Sequence, residues 1–540
     1  MIRTLSVFFL FFFYYSSNIN AQELSENFLV HDILQKNDQD ADLHFRMDAT
    51  DRKVLQFYRD RDFQPVWFQG SRLNSAGQYA LQTLKNAGQE GLNPQDYHLV
   101  LRNFLFLELH LLSPEKVAEY ETLLTKYIIF YIKDLDGERL NPQKISKQLY
   151  IKVDMVDPYE ILSNGMKEDP SGKWLTELTV HHPEYQQLKE VLARYRNIEQ
   201  KGEWTPLKLP ENQKITLGTN DAFVEALKTR LILEGYLKEG TNNSVFDSSI
   251  EQALKEFQHY HGLEADGRLG KETLVALNVS VKDRIDQILL SMERWRWLPE
   301  NKGEHYILVN IAGYYLQAFE NEKKILQMPV IIGRNYRQTP VFSSKIDFVR
   351  FNPSWYVPHS IAVKDKLPLL RSDPSYFNTK GYHIYDESGE AVNPEEVDWS
   401  DVDSSSFDYR IVQDPGSANA LGKLFFHINT PFDVFLHGTP DVDLFKKEKR
   451  SFSSGCIRVF DPVSLAFFLL NNPEKWSQET IIQVTQGNQT QTLPLEHPVN
   501  IYVTYQTVWI DDQNQPYFVE DIYQQDKAIK KVFERRKTVF

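Results

Sequence analysis

Ser453-Ser454-Gly455-Cys456-Ile457-Arg458 holds the only cysteine in a chain of 540 residues, and it follows Leu436-His437-Gly438-Thr439. A thiol with a pKa near ~8.5 is mostly protonated at neutral pH, so it needs a base or a positive neighbour before it can attack. His437 ends an apolar, strand-forming run and is placed to be that base. A cysteine with a histidine at short range is the minimum equipment for nucleophilic acyl transfer. Small residues before Cys456 let the backbone turn tightly. The N–H groups around Gly455 and Cys456 are then candidate oxyanion donors, an arrangement that typically contributes ~10²- to 10³-fold in rate. Ser454 is a candidate support for the same loop. Arg458 lies two residues on, on the strand face of Cys456, where it can hold a substrate carboxylate or brace the loop.

The start of the chain gives the lone thiol its weight. Met1-Ile2-Arg3 is a short basic opening, Val7 to Tyr15 is almost unbroken apolar sequence, and small or polar residues follow to Ala21. Residues 1–22 therefore read as a secretory leader cleaved near Ala21 or Gln22, with an uncleaved anchor as the alternative. In an exported chain one cysteine has no partner of its own for a disulfide. An inert, buried thiol is the competing reading, but the histidine, glycine and serine context favours a reactive one. No later apolar run reaches the ~18 to 20 residues of a membrane span. The net charge of −14 argues against nucleic acid, whose phosphates want clustered Lys and Arg. No cofactor is implied, and His437 with Asp443 matches no zinc-ligand spacing.

The length allows roughly three to four domains. Residues 23–210 read as a helical scaffold, with helices at Asn74 to Ala87, Glu115 to Lys133 and Glu184 to Arg196 carrying apolar residues at helical spacing. Residues 211–280 form another unit, in which Phe223, Leu227, Leu231, Ala253, Phe257 and Leu274 would fill a three-helix core. From His305 the period shortens to two, with strands at Tyr306 to Ile311, Tyr314 to Phe319, Ile325 to Ile332, Lys423 to Ile428 and Asp433 to Leu436. Asp461-Pro462 opens a helix, Asp as N-cap and Pro at the first helical position. Residues 300–487 are thus a β-rich domain, and 488–540 a C-terminal strand and helix extension. The stretch 358–420 is long, polar and irregular, as functional lids are. The fold class predicted is multidomain α+β.

Two resemblances attach to these segments. Phe257-Gln258, Gly262-Leu263, Asp266-Gly267, Gly270, Thr273 and Ala276-Leu277 resemble the peptidoglycan-binding domain of cell-wall enzymes. Because glycines and Phe-Gln specify a fold more than a pocket, a purely structural module stays open. His-Gly-Thr followed by Ser-x-Gly-Cys-Ile-Arg resembles the L,D-transpeptidase catalytic domain of the YkuD type, within the large envelope enzymes of the YcbB type. Met292 to Pro299, Thr339-Pro340, Asn352 to Pro358, Gln413 to Gly416 and Asn419 to Gly422 belong to the same likeness. With the N-terminal scaffold and the small helical module as its expected companions, it covers nearly all of the mature chain.

The resemblance implies Cys456 as nucleophile and His437 as base, the imidazole held by a backbone carbonyl, that of Gly438, with no acidic third member. It implies attack on a peptidoglycan tetrapeptide stem, loss of the terminal D-alanine, and transfer of the acyl group to a diaminopimelate amine in a 3→3 cross-link. Stem peptides and glycan would be the partners, the cell envelope or periplasm the location, and 358–420 a capping subdomain. Gly438 departs from the Asp often found there in the large subgroup, which bears on substrate contacts. Trp355 and Tyr356 are candidates to line the substrate groove, with core packing as the alternative, while His427 is expected to be structural. Water or a protein lysine stays open as acceptor, giving a carboxypeptidase or a wall-attachment enzyme.

Overall fold

From His305 the chain builds a nine-stranded sheet, whose inner strands are buried at most positions, as in His305–Asn310 and Leu424–Ile428. In the computed structural model, residues 29–32, 34, 49–97, 112–153, 155–202, 204–209, 214–238 and 244–536 are described. The leader lies outside them. The strand order is Ser451–Ser453, Lys323–Gly333, Ile457–Val459, Leu436–His437, Leu424–Ile428, Phe342–Phe351, Gln491–Thr504, His305–Asn310 and Tyr315–Glu320. Tyr315–Glu320 also pairs with Lys323–Gly333, which closes the sheet into a barrel and leaves Ser451–Ser453 beside it.

The protein is α+β. Ser75–Lys85, Pro114–Leu135 and Pro183–Gln200 are the long helices predicted in the N-terminal region. Asn74 caps the first by accepting from Gly77 N at 2.9 Å, and Ser113 caps the second with proline at its first position. Ala222–Leu233, Ser248–Tyr260 and Lys271–Leu277 enclose the small core of Phe223, Leu227, Leu231, Ala253 and Phe257. Pro462–Leu470 starts as its sequence indicates, Asp461 Oδ1 accepting from Ser464 N at 3.0 Å. Among the described residues no helix is long and apolar enough to cross a membrane.

Three expectations need correction. The stretch 358–420 is not irregular: it carries short helices from His359 to Thr379 and strands Tyr382–Tyr385, Ala391–Val392 and Arg410–Gln413, the last paired with Trp355–Tyr356. Leu367, Leu370, Phe377, Trp399, Phe407 and Ile411 give it a core of its own. The C-terminal strand is no extension either. Gln491–Thr504 runs antiparallel to Phe342–Phe351 and parallel to His305–Asn310, inside the barrel. Without it the sheet would be open between two central strands. Finally, Asp433 to Leu436 yields only the two-residue strand Leu436–His437, because Thr430 Oγ1 and Phe432 hold the preceding residues in a turn.

The helix Val281–Arg296, which sequence periodicity left unassigned, joins the small helical unit to the barrel. Ile285, Ile288, Met292 and Trp295 share one hydrophobic cluster with the barrel and with Tyr185, Leu188, Leu192 and Tyr195 of the last scaffold helix. Each such fully buried apolar side chain contributes roughly 1.5–3 kcal/mol relative to exposure. The scaffold is further tied to the barrel at Tyr150 N to Val341 O (2.8 Å) and Val341 N to Gln148 O (2.9 Å).

Candidate active site

The two residues singled out by chemistry are brought together by one strand pairing. Leu436–His437 lies parallel to Ile457–Val459, with Leu436 opposite Ile457 and His437 opposite Arg458. Ile457 N donates to Phe435 O at 3.0 Å, so Cys456 enters its strand beside Phe435. Cys456 and His437 both line a cavity of about 1080 Å³ between the barrel and the cap. Trp355, Tyr356 and Arg458 line it as well.

His437 is buried and its Nδ1 lies 2.6 Å from Gly438 O. A carbonyl only accepts, so Nδ1 carries the proton and Nε2 keeps its lone pair. Burial pushes the imidazole down to about 3, the Arg458 guanidinium adds to the effect, and the carbonyls of Gly438 and Leu421 oppose it. The ring is therefore neutral at working pH. Gly422 makes this placement possible. Its φ is +66°, and a Cβ there would sit 2.7 Å from both Gly438 C and Thr439 N. The Leu421-Gly422 backbone can press against the histidine segment only without a side chain.

Cys456 is half-buried, and Sγ donates to Asp433 O at 3.5 Å. Burial pushes the thiol up, while a backbone hydrogen bond at Phe435 and the charge of Arg458 pull it down and Asp433 adds to the rise. The loop before it is tied internally. Ser453 Oγ donates to Cys456 O at 2.5 Å and accepts from Gly455 N at 3.1 Å. The Gly455 amide is thus committed to its own loop and not offered to a ligand, contrary to expectation. The Cys456 amide has no acceptor among the described residues. Gly455 itself has φ +122°, a value that L side chains rarely adopt, and its carbonyl accepts from Thr339 Oγ1 at 2.8 Å.

The remaining candidates separate into contacts and supports. Arg458 Nη1 pairs with Asp441 Oδ2 at 3.0 Å and reaches Thr439 Oγ1 at 3.4 Å, bracing the segment after His437. Ser454 Oγ accepts from Arg337 Nη1 at 2.8 Å. Tyr356 is 73% exposed, and Trp355 is half-buried against the cap. His427 turns away, its Nδ1 on Asp347 Oδ1 at 2.6 Å and its ring stacked on Phe348. Asp443 pairs with Lys446 at 2.7 Å.

Sequence reasoning missed Arg337, Asp365 and Lys366. Arg337 Nη2 donates to Asp365 Oδ1 at 3.0 Å while its Nη1 bonds Asp365 Oδ2 and Ser454, so one guanidinium joins the barrel, the cap and the cysteine loop. Nothing in local sequence pattern marks such a contact. Thr339 was signalled only as part of the Thr339-Pro340 dipeptide.

With this geometry the comparisons with known proteins fall into place. Residues 304–474 match the L,D-transpeptidase catalytic domain. The chain carries an L,D-transpeptidase catalytic domain. Residues 52–192 match a family described as a scaffold domain, and residues 220–277 a putative peptidoglycan binding domain. A putative L,D-transpeptidase of Haemophilus influenzae is 33% identical over 272 residues, 49% of this chain and 54% of that protein. The chain thus spans about half the length of the curated relative it matches. Among solved structures, an L,D-transpeptidase from Stackebrandtia nassauensis covers 55% of this chain and 96% of its own at 14% identity and TM-score 0.22. Another, from Xylanimonas cellulosilytica, covers 55% and 100% at 15% identity and TM-score 0.17. Likenesses that slight add nothing to the assignment of the L,D-transpeptidase domain.

Proposed function

We propose that the chain is an L,D-transpeptidase of the cell envelope that forms 3→3 peptidoglycan cross-links through a thioester on Cys456. The observation that carries the reading is the parallel pairing of Leu436–His437 with Ile457–Val459, which puts a thiol and a neutral imidazole into one cavity. The catalytic-domain match over 304–474 and the putative peptidoglycan binding domain match over 220–277 support the substrate class.

In the first half-reaction Sγ turns from Asp433 O toward His437, gives its proton to Nε2 and bonds to the donor carbonyl carbon. His437 returns that proton to the amine of the departing D-alanine, and the C–N bond breaks to leave a thioester. In the second, the acceptor amine loses a proton to Nε2 and attacks the thioester. The C–S bond breaks, and Sγ recovers the proton. Gly438 O holds the imidazole by Nδ1 throughout, and no acidic residue is needed. The Cys456 amide is the donor available to the oxyanion.

The test is mass spectrometry of muropeptides after incubation with tetrapeptide-bearing disaccharide. A dimer joined between two diaminopimelates, absent with Cys456→Ala, is the expected result. Tripeptide without dimer would replace transpeptidation by hydrolysis, and full activity of Cys456→Ala would overturn the nucleophile assignment.

A further inference from the structure

The cavity holding Cys456 is electrostatically unlike the rest of the protein. The chain has a net charge of −14, yet Lys and Arg outnumber Asp along the cavity wall seven to three, with no Glu. Two of these cations have carboxylate partners: Arg458 has Asp441, and Arg337 has Asp365. Of the other five, Lys366 is the buried one. It is 9% exposed, it ends the π-helical turn Ala362–Lys366 of the cap, and its Nζ donates to Tyr382 OH at 2.6 Å. π-Helical turns are rare and are frequent at functional sites.

An ammonium has three N–H donors and no acceptor. Among the described residues Tyr382 OH takes one of those donors, and no carboxylate forms an ion pair with Lys366. The rings of Tyr382 and Trp355, with centroids 4.3 and 5.3 Å from Nζ, soften the burial without neutralising it. Asp365, the adjacent carboxylate, is engaged by Arg337. A buried, unpaired charge is costly unless something completes it.

We propose that Lys366 is a substrate-specificity residue that pairs with a free carboxylate of the peptide occupying the cavity, so that the enzyme selects anionic stems over their carboxamides. The proposal rests on the reading that this cavity takes a peptidoglycan stem. Trp355 and Tyr382 form the apolar wall along which that peptide lies, and Lys366 supplies its anionic contact from the cap.

Burial pushes the Lys366 ammonium down to about 8, with Asp365 opposing. The groups facing it from the neighbouring elements are the hydroxyl of Tyr382, itself pushed up by burial and by Tyr376, and the carboxylate of Asp365. The ammonium is therefore charged at neutral pH and lost just above it. A bound carboxylate raises its pKa, so binding is strongest below pH 8 and weakens above.

The experiment compares a free-acid tetrapeptide donor with the same donor bearing carboxamides, on wild type, K366M and K366R. K366M is expected to raise KM for the free acid by roughly tenfold or more, the usual size of a hydrogen bond to a charged group, with kcat little changed. K366R restores most of that loss. Wild type should bind the carboxamide about as weakly as K366M binds the free acid, and K366M should not distinguish the two. KM of wild type for the free acid should climb above pH 8, and that of K366R should stay level there. Equal KM for both donors on wild type, or a K366M defect confined to kcat, would overturn the proposal. If folded wild type turns over neither donor, the assigned function has failed. Equilibrium binding then decides this proposal separately: a free-acid preference lost in K366M upholds it, and equal binding rejects it.

Discussion

His437 decides what pH will do to the reaction. Its imidazole is held at about 3 by burial beside Arg458, so it is neutral, with Nε2 free to accept, across the whole neutral range. We expect kcat/KM to show no inflection near the ordinary histidine value of about 6.5, and an acid limb there would mean that His437 is solvated. The linked stability has a definite sign. Below about pH 6.5 the unfolded chain binds a proton that the folded one refuses until about pH 3, so His437 makes the fold less stable as pH falls through that window. His437→Gln should flatten that acid-side slope in urea titrations. At this scale the sequence was informative, because a single cysteine leaves one candidate nucleophile and a nearby histidine one candidate base. Arg337, Asp365 and Lys366 were illegible. Their partners lie 28 and 117 residues from Arg337, and 16 from Lys366, and no periodicity reports such contacts.

The cap is held at both of its crossings into the barrel by one side chain. Asn419 Nδ2 donates to Pro353 O at 3.0 Å and to Asp414 O at 2.9 Å, and its Oδ1 accepts from Leu421 N at 2.8 Å. Gln413 adds Ala418 O at 2.9 Å and receives Ala420 N at 2.9 Å. The motif residues of that segment are thus a hinge clasp. Asn419→Ala leaves buried carbonyls unpaired, at about 1–3 kcal/mol each. It should speed hydrogen exchange across residues 355–413 while barrel strands such as Phe342–Phe351 stay protected. Asp365→Asn should act at the far end, where Arg337 loses its charged partner but keeps Ser454. Here we expect kcat/KM to fall with the fold intact, checked by steady-state kinetics beside a thermal melt. The cap's secondary structure escaped notice because its strands are two to four residues long. Its core residues are scattered among Asp and Ser turns such as Asp403, which binds Ser405 and Ser406.

Across the whole molecule, the segment Met292 to Trp297 is the joint. Glu293, Arg294, Trp295, Arg296 and Trp297 are all buried. Arg296 Nη1 pairs with Glu293 Oε2 at 2.8 Å, and its Nη2 donates to Tyr185 OH at 3.0 Å and to Glu90 O in the scaffold. Arg294 pairs with Asp526 of the C-terminal helix at 2.5 Å. Trp295 stacks on His182 at 3.8 Å. Sequence supplied this stretch only as part of a resemblance, and periodicity could not read it, since its charged residues point inward and break the amphipathic pattern that marks a helix. Burial makes the pair costly to break: removing one partner of a buried ion pair typically costs 3–5 kcal/mol. Arg296→Ala should lose about that much and uncouple scaffold from barrel, replacing one unfolding transition by two in calorimetry. Arg296→Met, paired with Glu293→Gln, should recover part of the loss, because no uncompensated carboxylate is then buried. If Arg296→Ala unfolds in a single transition at the wild-type midpoint, the joint is not where the domains are held.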